Sequence, residues 1–286
     1  MPVPPLPLLN FFVLLVMLSI GLRVSGGELL GVLRNRALFG KVLLANCVLI
    51  PALGFLLVQL FPLTPDASVG ILLLAAIPGT PIALQFTRMA KSRLAFAAVM
   101  TFLLSLVSIA ITPVAVQVMP KIAMHSEQPI FNLVLSMLLY FAVPLFAGIW
   151  VARLAPHVAP RLVVPLELLA TAAFLFLMWE TRLVRQNALS AVAGRGAILA
   201  MFLLLLLSML IGWFTGGPDP DSRRILATST GMRSVIVVLF VARSCFPGTN
   251  IYMVPVVYLT LMVPTNLLFH LLFLGWQKLH SRPKPA

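Results

Sequence analysis

The chain has 286 residues, of which 61% are hydrophobic and 9% charged, and it carries a formal net charge of +13. Soluble domains have about 25% charged residues, so this composition excludes an ordinary globular protein and points to one embedded in a lipid bilayer. The Lys and Arg residues stand between apolar runs, the pattern that orients a membrane protein, so nucleic acid is not an expected partner.

In chain order, the apolar runs predict an all-α polytopic membrane protein with nine spans, at 6–22, 38–60, 68–90, 94–118, 129–151, 161–181, 194–215, 224–245 and 251–277. Each is close to the roughly 17–25 residues that cross the hydrocarbon. The N-terminal stretch lacks a basic leader and a small-residue cleavage site, and is read as a retained first span. "FPLTPDASVG" predicts a Pro-rich turn before the third span, and "GGPDPDSRR" a similar one before the eighth. Lys41 lies a few residues into the second span, from where its long stem reaches the interface. Cys47 and Cys245 fall in or beside apolar runs, with no disulfide framework and no metal-ligand spacing.

With nine spans the termini lie on opposite sides. Thirteen Lys and Arg residues fall on the side of the C-terminus, five on the other and two inside spans. This places the C-terminus in the cytoplasm and the N-terminus outside. The expected location is a bacterial inner (plasma) membrane.

Two spans look broken. The third carries Pro78-Gly79-Thr80-Pro81 at its middle, and two prolines and a glycine so close together cannot continue a helix. The eighth carries Thr228-Ser229-Thr230-Gly231 at a comparable depth. Backbone freed by such breaks must be buried in protein or line a wet cavity. Interrupted segments at matching places in two halves point to inverted repeats that cross at a central site. The division is then 1–118, a first repeat of four spans broken at 78–81; 119–128, a linking loop; and 129–286, a second repeat of five spans broken near 228–231, with a short basic tail.

The same segments carry a resemblance. "AAIPGTPIALQFTRMAKSRLAFAAVMTFLLSLVSIAITP", "RRILATSTGMRSVIVVLFVARSCFP" and "VMLSIGLRVSGGEL" resemble the bile acid:sodium symporter family, in a nine-span form that lacks the first helix. The resemblance implies a core and a panel domain, alternating access for an organic anion, and two sodium ions behind the crossing. It also implies which residues would hold sodium, and here the chain departs from the family. A Ser-Asn pair becomes Ala83 and Leu84, the shared glutamate becomes Ser229, the following Gln and Asn become Arg233 and Ser234, and a serine becomes Ala97. Thr101 is retained, and Asn46 replaces a longer glutamine, so these two are remnants of an ion site. Sodium needs several hard oxygens and normally a carboxylate. An arginine in its place repels it. The family's sodium sites are therefore expected to be unused, and no cofactor or metal is expected. Proton coupling through Glu167 stays open.

Arg233 lies about ten residues into its span, roughly 15 Å deep at 1.5 Å per residue. Burial there costs from about 2.5 kcal/mol upwards, so it needs partners. Three roles are open: a built-in cation donating to half-helix carbonyls, a guanidinium fork for a substrate carboxylate, or a structural ion pair. Glu167, inside the sixth span, is the possible counter-ion. The candidate substrate-binding residues at the crossing are Thr80, Gln85, Ser229, Thr230, Arg233 and Ser234. Asn266 joins them because it resembles a family asparagine lining the substrate cavity, and packing between helices is its other role. His270, alone on an apolar helix, reads as a packed histidine.

No H-E-x-x-H, no G-x-S-x-G and a single plausible deep acid argue against an enzyme. The expected function is a secondary transporter of a small or amphipathic organic anion, with a non-transporting receptor or scaffold of the same fold as the alternative. The bilayer and that anion are the expected partners. The sequence sets no oligomeric state, and a monomer is compatible with it.

Overall fold

A computed structural model describes residues 6–24, 26–79, 94–123, 130–180 and 196–280. Helices account for nearly all of this length. They are α1 (Leu6–Arg23), α2 (Gly26–Arg34), α3, α4 (Pro65–Ala76), α5 (Leu94–Ala123), α6, α7 (Ala159–Glu180), α8 (Ala197–Thr215), α9 (Pro220–Gly231), α10 (Val235–Cys245) and α11 (Met253–His280). Helix α3 runs through Arg36–Leu44, Ala45–Leu49 and Ile50–Leu60, and α6 through Ile130–Met137, Leu138–Ala142 and Val143–Leu154.

The middle pieces of α3 and α6 are π-turns, and each directly precedes a proline-bearing first turn. A proline ring opposes the carbonyl four residues back. For Pro51 and Pro144 those carbonyls belong to Cys47 and Tyr140, inside the widened turns, so the π-turn relieves the clash without ending the helix.

Among the described residues, seven segments are long and apolar enough to cross a membrane, with α1 and α4 as shorter apolar helices. The chain is an integral membrane protein. Observed helices overlap all nine sequence-predicted spans, with shifted ends: α5 runs on to Ala123, and α2 is a helix within what reads as a loop. The eighth span is two helices, α9 and α10, as the Gly231 region suggested. The break falls at Met232–Ser234, just beyond the predicted 228–231.

The third span also breaks where its prolines require. Helix α4 starts with Thr64 capping Ala67 N at 3.3 Å and Pro65 in its first turn, both favourable at an N-terminus. It ends at Ala76 because Ile77 precedes Pro78 and is driven to extended geometry, φ −97° and ψ 102°. Gly79 then turns through φ 75°, open to glycine at little cost.

The helices sort into two packed groups. Helix α1 packs along both α6 and α7. Gly21 and Gly148 face each other at the α1–α6 contact, where backbones approach so closely that a Cβ on Gly21 would lie 2.1 Å from Leu145 O. Arg23 Nε donates to Glu167 Oε1 at 2.6 Å and ties α1 to α7. The second group comprises α3, α4, α5 and α8–α11, with α8 packed most extensively on α9. Within α9–α10, residues 224–242 are buried without interruption. The groups meet where Phe240 of α10 packs on Tyr140 and Phe141 of α6.

Candidate functional site

The site forms where α4 ends and α9 gives way to α10. The last carbonyls of a helix have no partner within it, and a buried end must find donors elsewhere. For α4 the donor is Arg233. Its Nε donates to Leu74 O at 2.9 Å, its Nη2 donates to Ala75 O, and its Nη1 donates to Asn46 Oδ1 at 2.8 Å. Ile77 N closes the remaining turn on Leu73 O at 3.0 Å. One guanidinium thus terminates a half-helix from a different part of the chain.

Arg233 is fully buried, at 0% exposure. The electrostatics of the position favour a cation. A helix C-terminus carries partial negative charge, and α9 also ends here, at Gly231, two residues before Arg233. Among the described residues its partners are three uncharged oxygens and no carboxylate. In this conformation the guanidinium is enclosed and held by protein oxygens.

Asn46 is placed by the π-turn of α3. Its Nδ2 donates to Val42 O at 3.0 Å and approaches Thr230 Oγ1 at 3.5 Å, while its Oδ1 takes the guanidinium. One amide therefore links α3, α9 and the α9–α10 link that carries Arg233. At the end of α9, Met232 N donates to Thr228 O at 2.8 Å, and Tyr258 Oη donates to Gly231 O at 2.7 Å. Ser234 heads α10, and its N reaches Ile77 O at 3.5 Å, as loose as the Asn46–Thr230 contact.

The structure brings together Asn46, Thr230, Arg233 and Ser234 from the sequence-predicted set. Ser229 is buried beside them but bonds within its own helix, to Leu226 O at 3.3 Å. Thr101 is buried on α5, as is Ala97. Asn266 lies on α11, where its Nδ2 donates to Met262 O at 2.9 Å. Its buried Oδ1 has no partner among the described residues. One turn further on, His270 pairs with Thr228 at 3.1 Å, in keeping with a packed histidine. Thr80, Gln85, Ala83 and Leu84 lie outside the described residues.

Glu167 is placed differently from the counter-ion reading. It accepts from Arg23 at 2.6 Å and from Ser19 Oγ at 3.3 Å, in the seam between α1 and α7. Depth along a span does not say which neighbour a side chain faces, and the basic end of α1 reaches Glu167 first. Tyr258 was missed at the sequence level. The available signal was a tyrosine in an apolar helix, whose hydroxyl must find a partner when buried. Tyr258→Phe leaves Gly231 O without its donor. It is expected to cost about 1–3 kcal/mol, read as a lower Tm for the detergent-purified protein.

A family model described as the Sodium Bile acid symporter family matches residues 10–205. No curated protein matches the chain. The matched stretch includes Asn46 and the end of α4, while Arg233 and Asn266 lie beyond it.

Proposed function

The chain belongs to the sodium bile acid symporter family and is a membrane transporter; from that premise we propose that it carries a small or amphipathic organic anion by alternating access, without the family's sodium sites. The observation supporting this reading is Arg233, a fixed positive charge bonded to the carbonyl end of α4. In transporters built on broken helices, such unwound carbonyls and half-helix C-termini are where a coupling cation sits. A tethered guanidinium meets the same electrostatic demand and cannot dissociate. Sodium entering beside it faces like-charge repulsion at low dielectric.

On this reading the two broken segments form the crossing of inverted repeats of four and five spans, divided at 119–128. The substrate meets the crossing near Thr80, Gln85, Ser229, Thr230 and Ser234, with Asn266 contributing from α11. The N-terminus faces outward and the C-terminus lies in the cytoplasm of a bacterial inner membrane.

The test is a thermal-shift screen of organic anions on the purified protein, followed by flux of the hits in proteoliposomes. Flux is expected to be unchanged when sodium is replaced by potassium. A steep sodium dependence overturns the reading. Ligand binding without flux assigns the protein to a receptor role instead.

A further inference from the structure

At the end of the bundle where α3 and α9 begin, a cavity of about 690 Å³ opens between α2, the start of α3, the start of α5 and the α8–α9 turn. This lies within the roughly 300–1,000 Å³ typical of small-molecule sites. It is separate from the crossing, since neither Arg233 nor any of its partners lines it.

The lining has two characters. Val32, Leu38 and Phe96 supply an apolar wall. Lys41 supplies the positive charge, exposed and with no ion-pair partner among the described residues. The other ionisable lining group, Asp219, is committed to the start of α9, where its Oδ2 accepts from Ser222 N at 3.1 Å and Ser222 Oγ at 2.6 Å. Asn35 is likewise engaged, capping Leu38 N at 3.1 Å. Lys41 is thus the one cationic side chain in the described lining, while Asp219 keeps its negative charge at the N-terminus of α9, where the helix dipole favours it. Arg34 and Arg36, exposed on either side of Asn35, add to the positive potential of the rim.

The room is backbone-walled. A Cβ added to Gly27, Gly31 or Gly217 would meet nothing within 4 Å, so these positions border open space rather than a neighbouring helix. A snorkelling lysine needs no such cavity.

We propose that this cavity is an entry site for the transported anion, in which Lys41 takes the anionic head and the Val32–Leu38–Phe96 wall takes the apolar body. The inference rests on the transport reading and deepens it: the substrate is an amphipathic anion with its charge at one end. By the distribution of Lys and Arg, this mouth faces the cytoplasm. An anionic phospholipid offers the same chemistry from the bilayer side, and the test separates the two sources.

The experiment measures cholate affinity below its micellar concentration, with the full-length protein in phosphatidylcholine nanodiscs. Lys41→Gln is expected to weaken binding about tenfold, the effect of losing one charged contact. Gly31→Leu, which fills the cavity from a position with space around it, is expected to abolish binding while Tm stays at the wild-type value. Replacing sodium by potassium is run alongside. A sodium effect with both variants impaired overturns the sodium-free reading but not the site. Unchanged cholate affinity in both variants overturns the site. Nanodiscs with added phosphatidylglycerol provide the lipid arm. If that lipid displaces cholate in the wild type and not in Lys41→Gln, the cavity is a lipid site and the substrate assignment fails. If it leaves cholate affinity unchanged, the substrate assignment stands.

Discussion

Arg233→Met is expected to abolish transport and to lower Tm sharply. The substitution keeps an unbranched stem of comparable bulk but ends two bonds short of the terminal guanidinium nitrogens, so what is lost is chiefly the charge and the donors. Leu74 O, Ala75 O and Asn46 Oδ1 are left buried without their partner. Each orphaned acceptor costs about 1–3 kcal/mol, and the end of α4 loses a cation where its dipole favours one. Several kcal/mol is a large share of the usual margin of about 5–15 kcal/mol. Arg233→Lys is the informative companion. An ammonium keeps the charge but presents its donors from a single point, so it cannot span two successive carbonyls and an amide as the planar fork does. The Lys variant is expected to fold with an intermediate Tm and little flux. Wild-type Tm and flux in Arg233→Met overturn the built-in-cation reading.

Gly21→Val and Gly148→Val are each expected to prevent recovery of a folded, monodisperse protein. A Cβ at Gly21 lies 2.1 Å from Leu145 O, and one at Gly148 lies 2.4 Å from Leu18 O. Both obstacles are backbone, so neither yields by a rotamer change. Separating α1 from α6 enough to admit a side chain costs the upper part of the usual overpacking penalty of about 1–3 kcal/mol, or more. Helix α7 packs on α1 as well, so a displaced α1 carries the damage beyond one helix pair. Gly40→Ala is the control. It lies on α3 with nothing within 4 Å of its Cβ, and is expected to be neutral or stabilising by up to about 1 kcal/mol. The comparison is read by size-exclusion profile and Tm of the three variants. A folded, monodisperse Gly21→Val contradicts the close approach.

The all-helical, membrane-spanning character was legible because a bilayer leaves few ways to satisfy a backbone, and apolar runs of sufficient length mark seven of the spans directly among the described residues. The breaks were legible for the same reason, since Pro78 and Gly79 cannot be hidden inside a helix. The exact break in the second segment was not. Nothing local in Thr228–Gly231 forbids a helix, and α9 runs through it until Met232. Arg233 announced itself by its cost in hydrocarbon. Its partners did not, because Leu74 and Ala75 contribute only carbonyls, and any residue has one. The pairing of Glu167 with Arg23 joins positions 144 apart in sequence and follows from which faces of α1 and α7 meet, a tertiary fact. Helix α2 escaped notice because two adjacent glycines and its short length read as a loop.

A charge that cannot leave also determines where voltage acts. On the proposed transport reading, a monovalent anion bound at the crossing offsets the Arg233 charge, so a membrane potential does little work on the passage of the loaded form. On that same reading the unloaded crossing returns bearing +1. A field across the bilayer exchanges up to about 2.3 kcal/mol per 100 mV with each elementary charge that traverses it fully. The return of the unloaded protein, and not the delivery of cargo, is then the step that the cell's electrical gradient speeds or slows.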